Sequence, residues 1–146
     1  MTTTYTKLGA GGAPLGADST DRHEAVRIEH PLLARPLIVS AYRSPKRLSW
    51  KKAAAWAEKL DIYGWQWRLP SAEEGFFIPN RARYPAYDTN FFPDCEGEWI
   101  WTSTPDAEDP SGPSGFAWGV GLLSGYSGRL RQGNDSFVRA VCAGQP

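Results

Sequence analysis

Glycine and proline interrupt this chain so often that the sequence leaves room for only one long helix. Fifteen glycines and twelve prolines are spread over 146 residues, and both residue types favour turns and end helices. The exception runs from Trp50 to Leu60, where apolar residues recur at helical spacing behind Ser49, which can cap the helix N-terminus. A bundle of long helices is therefore excluded.

The other elements are predicted to be short. Ser71 and Glu74 have the spacing of a capping box, and they predict a second helix that Gly75 and Pro79 keep short. Strands are predicted where apolar and β-branched residues alternate with polar ones, around 26–28 and over 36–42, 99–104, 116–123, 129–131 and 137–142. We expect an α+β fold with one main and one short helix on a small, twisted, mostly antiparallel sheet with many loops.

The chain length fits one domain. Residues 1–22 are rich in Thr, Gly and Ala and lack a hydrophobic period, which predicts a flexible N-terminal arm. Residues 23–146 are then expected to form a single domain. Small residues in the arm could also pack between subunits, so a homo-oligomer remains an open alternative.

The charge balance excludes the simplest binding functions. Sixteen basic and sixteen acidic residues give no net charge, so we expect neither nucleic acid nor a membrane surface as a partner. The basic residues are concentrated in 1–60 and the acidic ones in 61–112. Either these segments neutralise each other in the fold, which we favour, or they form separate patches that steer charged partners.

The sequence lacks the residue patterns of the common enzymes. Cys95 and Cys142 are the two cysteines and His23 and His30 the two histidines, and their spacing matches no structural zinc site. We favour two free thiols with Cys142 in the core over a disulfide. No nucleophile motif or phosphate-binding loop is present, and the acidic residues of 90–98 lack the order of an EF-hand. We therefore expect no catalytic residue, metal or cofactor.

Several motifs together resemble a family of bacterial and phage domains typified by the C-terminal domain of a collagen-like adhesin. The resemblance covers roughly residues 48–142. In chain order, the matching residues are Ser49 and Trp50, Ala54, Trp56 to Leu60, Trp67 to Glu74, Trp101 to Thr104, Ala117, Trp118 and Val120, Gly125, and Phe137 to Val141.

The resemblance implies a C-type-lectin-like fold, related to that of formylglycine-generating enzymes and phage display proteins. Where exported relatives place a cysteine pair, this chain has Ala57 and Ala140, as in the intracellular or phage branch. The catalytic cysteines and the calcium motifs of other relatives have no counterpart here. We expect a phage-encoded protein in the bacterial cytoplasm or in a virion.

Within the family motif, Trp67, Trp101 and Trp118 are predicted to share one face of the core. Arg68 and Arg139 are predicted to tie strands to loops through charged hydrogen bonds. Binding residues are expected outside the motif, where Tyr and Arg supply contact area and directed hydrogen bonds. The candidates are Tyr84, Tyr87, Trp99, Tyr126, Arg129, Arg131, Asn134 and Asp135.

The sequence leaves three functions open. The first is a non-enzymatic module that binds a host protein or surface macromolecule through the C-terminal loops. The second is a glycan-binding module in which Tyr84, Tyr87 and Trp99 stack on sugars. The third, least favoured, is an oxidase of the formylglycine-generating type, which would need a redox-active Cys95 or Cys142.

Overall fold

The structure is a computed structural model that describes residues 3–107 and 115–143. Two helices, α1 (Trp50–Glu58) and α2 (Ala72–Phe76), and a 3-10 turn at Ala10–Gly12 accompany seven strands. The strands are β1 (Thr4–Leu8), β2 (Ala25–Glu29), β3 (Leu37–Ser40), β4 (Trp99–Pro105), β5 (Phe116–Gly121), β6 (Ser127–Arg131) and β7 (Val141–Cys142). The fold is α+β, as predicted, and consists mostly of sheet and loops.

The strands form two antiparallel sheets rather than the single sheet predicted. One sheet has the order β1-β2-β3-β7, and the other has the order β4-β5-β6. The sheets separate because the last strand does not continue the C-terminal meander: Val141 pairs with Val39 of β3 instead. Isolated bridges join Arg68 to Val141 and Ile100 to Phe137, so residues 137–142 connect the two sheets.

Residues 4–8 are not part of the flexible arm predicted for residues 1–22. Residues 4–8 form β1, which pairs with β2 along its whole length. Leu8 is buried in the core, and the Lys7 ammonium donates to the carbonyls of Ala17 and Ser19 at 3.2 and 3.3 Å. Thr and Tyr favour strands, but the glycine-rich sequence that follows obscures this signal. Residues 4–8 therefore belong to the folded domain.

The two predicted helices are present, but only one has the predicted cap. In α2, the Glu74 N–H donates to Ser71 Oγ at 3.1 Å and the Ser71 N–H donates to Glu74 Oε1 at 2.9 Å, which completes the capping box. In α1, the Ser49 side chain makes no capping bond. The Trp50 N–H donates instead to the Gln132 carbonyl at 3.1 Å, so a distant loop takes over this role.

Two clusters of buried residues form the core. In the first, Ala53 and Ala57 of α1 pack with Trp67, Leu69 and Trp101. The second fills the space around Val26, Ile28, Ile78, Phe92, Ile100 and Val120. Because alanine is small, α1 can lie close to the sheet it covers.

Trp67 and Trp101 are buried as predicted, but Trp118 is half-buried. Trp101 pairs with Gly119 across β4 and β5. Successive side chains of a strand alternate between the two faces of a sheet. Trp118, one position before Gly119, therefore faces the side opposite to Trp101, and the prediction of one shared face is wrong for Trp118.

A buried arginine fastens the loop between α2 and β4 to the first sheet. Arg139 is fully buried and donates to the Ala41 carbonyl at 2.7 Å, to Asp94 at 2.6 Å and to Glu98 at 3.1 Å. Arg43 adds ion pairs to Glu96 at 3.2 Å and to Glu98 at 3.3 Å. Basic and acidic segments thus neutralise each other here, and Arg139 ties strand to loop as predicted.

Cys95 and Cys142 are free and buried, as favoured from the sequence. Desolvation raises the pKa of the Cys95 thiol to about 11. In the part of the chain that is described, no helix is long and apolar enough to cross a membrane.

Candidate functional site

The predicted binding residues do not form one site, because they lie on different faces of the sheet formed by β4, β5 and β6. Arg129 and Arg131 pack over the Phe116 ring, with guanidinium carbons 4.4 and 4.9 Å from its centroid. Arg129 also forms an ion pair with Asp106 at 3.0 Å. Both arginines therefore take part in contacts within the domain.

Trp99 lies on the opposite face and is 37% exposed. A Cβ added to Gly121 or Gly128 would lie 2.9 or 3.1 Å from its indole ring, so the ring can rest on the sheet only because these residues are glycines. Beside it is a cleft of about 290 Å³ that Asp135 also lines, together with Arg47, Glu98, Leu130, Ser136 and Phe137.

Asn134 and Tyr87 are not part of the lining of the Trp99 cleft. Asn134 is exposed in the turn after β6, where its N–H donates to the Arg131 carbonyl at 3.0 Å. Tyr87 is half-buried against the second core cluster, and desolvation raises the pKa of its hydroxyl. Asn134 is therefore a neighbour of Arg131, whereas Tyr87 contributes to the packing of the core.

The structure does bring Tyr84 and Tyr126 into a larger exposed surface. Tyr84 is 73% exposed in the loop between Asn80 and Ala86, and Tyr126 is 71% exposed in the turn between β5 and β6. The Ala86 N–H donates to the Leu123 carbonyl at 2.8 Å, which joins the loop to the turn. We call the exposed set the aromatic–arginine surface; its members are Leu32, Phe76, Arg81, Tyr84, Leu123 and Tyr126.

Arg81 holds the parts of this surface together. Its guanidinium donates to the carbonyls of Phe76 and Gly125, and it packs over the Phe76 ring at 3.8 Å from the centroid. Gly125 has φ +80°, and a Cβ there would lie 2.8 Å from the Arg81 side chain. The turn can therefore accept Arg81 only if this position is glycine.

The Arg81 charge is uncompensated within the described residues. Arg81 forms no ion pair with any carboxylate of 3–107 or 115–143. Desolvation lowers the pKa of its guanidinium from the ordinary value, but an arginine stays charged at neutral pH. A cation therefore sits amid exposed apolar side chains.

A cleft of about 500 Å³ lies beside Arg81. Phe77 in its lining packs against the His30 ring in a tilted arrangement, with 5.0 Å between centroids, and the Leu32 N–H donates to His30 Nδ1 at 3.0 Å. The cleft is lined by Thr3, His30, Leu32, Phe76, Phe77, Pro79, Asn80, Arg81 and Ala82. None of these lining residues is acidic.

Sequence reasoning missed four members of this surface, Leu32, Phe76, Arg81 and Leu123. The capping box does place Phe76 in the last turn of α2, so its position could be inferred, but its exposure could not. Arg81 lies in a loop whose partner turn is 44 residues away in sequence. Leu32 follows a strand without any signal that it stays exposed.

A larger cavity lies elsewhere among the described residues, beside α1. This groove of about 950 Å³ is lined by Ser49, Trp50, Lys51, Ala54, Glu58, Arg68, Leu69, Ser103, Gln132 and Gly133. Arg68, predicted to tie a strand to a loop, is instead bound to Glu74 of α2 through two hydrogen bonds of 2.6 and 2.8 Å. Neither histidine lines the groove, since His23 contacts the Phe91 carbonyl at 2.6 Å and His30 lies in the other cleft.

The acidic residues of 90–98, which lack the order of an EF-hand, serve structural contacts. Glu98 meets Arg43, Arg139 and the Glu96 N–H, the last at 2.9 Å. Asp94 accepts from Arg139 and from the Arg43 N–H. Over 3–107 and 115–143, no group of three or more His, Cys, Asp or Glu side chains could hold a metal ion.

The family comparison covers both the aromatic–arginine surface and the buried arginine network. The sequence profile of the Lcl C-terminal domain matches residues 24–142. The chain belongs to this family. No curated protein and no solved structure matches the chain. The Lcl C-terminal domain match includes every residue of the aromatic–arginine surface, and β1 lies before it.

Proposed function

We propose that this Lcl C-terminal domain is a non-enzymatic binding module that recognises a protein through the aromatic–arginine surface. One observation supports this more than any other. Six large hydrophobic side chains are exposed among the described residues. Leu32 and Phe76 line the cleft with Arg81, and Tyr126 follows Gly125, whose carbonyl Arg81 binds. Tyr84 and Leu123 belong to the loop and the turn that the Ala86 N–H joins, and Trp99 lies elsewhere.

The exposed hydrophobic residues of this surface are clustered, which distinguishes them from hydrophobic residues that are exposed singly. Single exposed hydrophobic residues are common, but a contiguous apolar patch on a water-exposed face usually marks an interaction site. Aromatic residues and Arg supply much of the energy of protein interfaces. Tyr in particular buries a large area at the cost of only two side-chain torsions. The surface is also held in place by backbone hydrogen bonds to Arg81 and Leu123.

The rest of the proposal concerns the fold of the domain, its biological source and its location. Membership of the Lcl C-terminal domain family supports a bacterial surface or adhesin-like module. We also infer a C-type-lectin-like arrangement, for which the two antiparallel sheets and two helices are the support. A phage source, a host protein as partner, and a place in the cytoplasm or the virion remain parts of this proposal.

The test is affinity capture from lysate and cell-envelope fractions by the wild type and four variants. Tyr126→Ala and Phe76→Ala alter the aromatic–arginine surface, while Arg131→Ala and Asn134→Ala are controls exposed elsewhere. We expect the first pair to weaken binding of a stoichiometric protein partner about thirtyfold, the loss typical of a 2 kcal/mol contact. The controls should bind normally. Equal binding by all four variants, with unchanged melting, would contradict the proposal.

A glycan-binding function is the second candidate, because of the cleft beside Trp99. An exposed indole next to Asp135, with Arg47 and Glu98 in the same lining, combines a stacking face with groups that bond sugar hydroxyls. Polysaccharide recovered by the wild type, and lost in Trp99→Ala but not in Tyr126→Ala, would favour this function over protein binding.

A further inference from the structure

The charge of the cleft beside Arg81 restricts what the aromatic–arginine surface can bind. Arg81 is the single permanently charged side chain of the cleft, and its lining contains no acidic residue. Five of the other lining residues are apolar, namely Leu32, Phe76, Phe77, Pro79 and Ala82. The cleft therefore combines one cation with an apolar wall.

Arg81 can still bind a ligand although it holds two backbone carbonyls. An arginine has five N–H donors, and the carbonyls of Phe76 and Gly125 are its acceptors within the described residues. These two bonds fix the guanidinium in position, so little side-chain freedom remains to be lost when a ligand binds. A carboxylate reaching it would form a charge-assisted hydrogen bond beside apolar surface.

We propose that this cleft binds a protein segment that places an Asp or Glu side chain between apolar side chains. The inference rests on the protein-binding function proposed above and names the chemistry of its partner. The carboxylate meets Arg81, and the flanking apolar side chains cover Leu32 on one side and Tyr126 with Leu123 on the other.

The same features disfavour polyanions. Nucleic acids and sulfated polysaccharides gain affinity by neutralising several charges at once, whereas this cleft presents one. The nearby Arg83 already forms an ion pair with Asp88 at 3.2 Å. A polysaccharide would also leave the exposed leucines in contact with water.

Ala82 allows the electrostatic part to be tested without disturbing Arg81. Ala82 is exposed and lines the cleft, and its backbone N–H, which donates to Asn80 Oδ1 at 3.0 Å, is kept in any substitution. Ala82→Glu adds a carboxylate that competes for Arg81. Ala82→Lys has similar bulk and the opposite charge, so it is the matched control.

The experiment selects binders to the immobilised full chain from a random dodecapeptide display library. Selected peptides are then measured by fluorescence polarisation beside versions with Asp or Glu changed to Asn or Gln. We expect an acidic residue flanked by apolar ones, and about a tenfold loss of affinity in the amide version, as for a charged hydrogen bond. Ala82→Glu should cause a similar loss, and Ala82→Lys should not.

Two results would overturn the inference in different ways. Peptides without acidic residues that still lose binding in Tyr126→Ala would refute the anionic partner and leave the protein-binding surface intact. Peptides unaffected by Tyr126→Ala and by both Ala82 variants would refute the surface itself.

Discussion

Replacing Arg139 with methionine should destabilise the domain strongly, because its charge is buried. Arg139 is fully buried and contacts the Ala41 carbonyl, Asp94 and Glu98. The Glu98 side chain is only 6% exposed, so Arg139→Met leaves a carboxylate with little access to water. Removing one partner of a buried ion pair typically costs about 3–5 kcal/mol.

The contacts that Glu98 and Asp94 keep after the substitution place the expected loss of stability at the lower end of that range. Glu98 keeps Arg43 at 3.3 Å and the Glu96 N–H at 2.9 Å. Asp94 keeps the Arg43 N–H at 2.8 Å, and its side chain is 28% exposed. We therefore expect Arg139→Met to lower the free energy of unfolding by about 3 kcal/mol, or the melting temperature by about 10 °C for a chain of this size.

The measurement is urea unfolding followed by tryptophan fluorescence. The control is Arg27→Met, which removes a more exposed ion pair to Glu29 at 3.3 Å and should cost less than about 1 kcal/mol. Methionine retains much of the arginine stem, so the comparison reports mainly on charge rather than on a cavity. If Arg139→Met cost no more than the control, the buried network would not hold the loop as described.

Three further predictions concern α2 and the thiols. Ser71→Ala should lower stability by about 1 kcal/mol, as loss of a helix cap does, while Ser49→Ala should change it by less than half as much because its side chain does not cap; thermal melting compares the two. Arg68 holds the pKa of Glu74 below its ordinary value of 4.5, so this pair stabilises the domain above that pH and its contribution is lost as the pH falls through the folded-state pKa. Wild type should therefore be more stable than Arg68→Gln by up to about 1 kcal/mol at neutral pH. This difference should shrink when thermal unfolding is measured at acidic pH, and a difference that does not change with pH would refute the stabilising role of the Arg68–Glu74 pair. At pH 8 neither thiol should react with a thiol reagent until urea is added, since both are buried and burial raises the pKa of Cys95 to about 11. Fast labelling of the native protein would instead favour a redox role.

Local patterns were sufficient to predict most elements of the fold. The spacing of apolar residues placed α1, and the pair Ser71 and Glu74 placed α2 with its cap. Alternation predicted the meander of β4, β5 and β6. These signals involve residues within a few positions of one another, so one sequence is enough to detect them.

The failures concern contacts between distant residues. The Trp50 N–H is satisfied by Gln132, which no local pattern reveals, and so Ser49 was wrongly given the capping role. The strand β1 depends on its pairing with β2. The pairing of Val141 with β3 rather than with the meander divides the strands into two sheets.

The candidate site shows the same limit. Tyr84 and Tyr126 were predicted from residue type alone, and both lie in the aromatic–arginine surface. Arg129 and Arg131 have the same favourable chemistry but pack on Phe116. Residue type indicates which side chains can bind, whereas tertiary contacts decide which of them remain available, as they do for Arg81.

The most direct test of protein binding through the aromatic–arginine surface is hydrogen exchange by mass spectrometry on the full chain, free and bound to the captured partner. We expect slower exchange on binding in 76–86 and 121–126, which contain most of this surface, and no change in 127–135. Protection confined to 127–135, or centred on Trp99 with 76–86 unchanged, would contradict the proposed function.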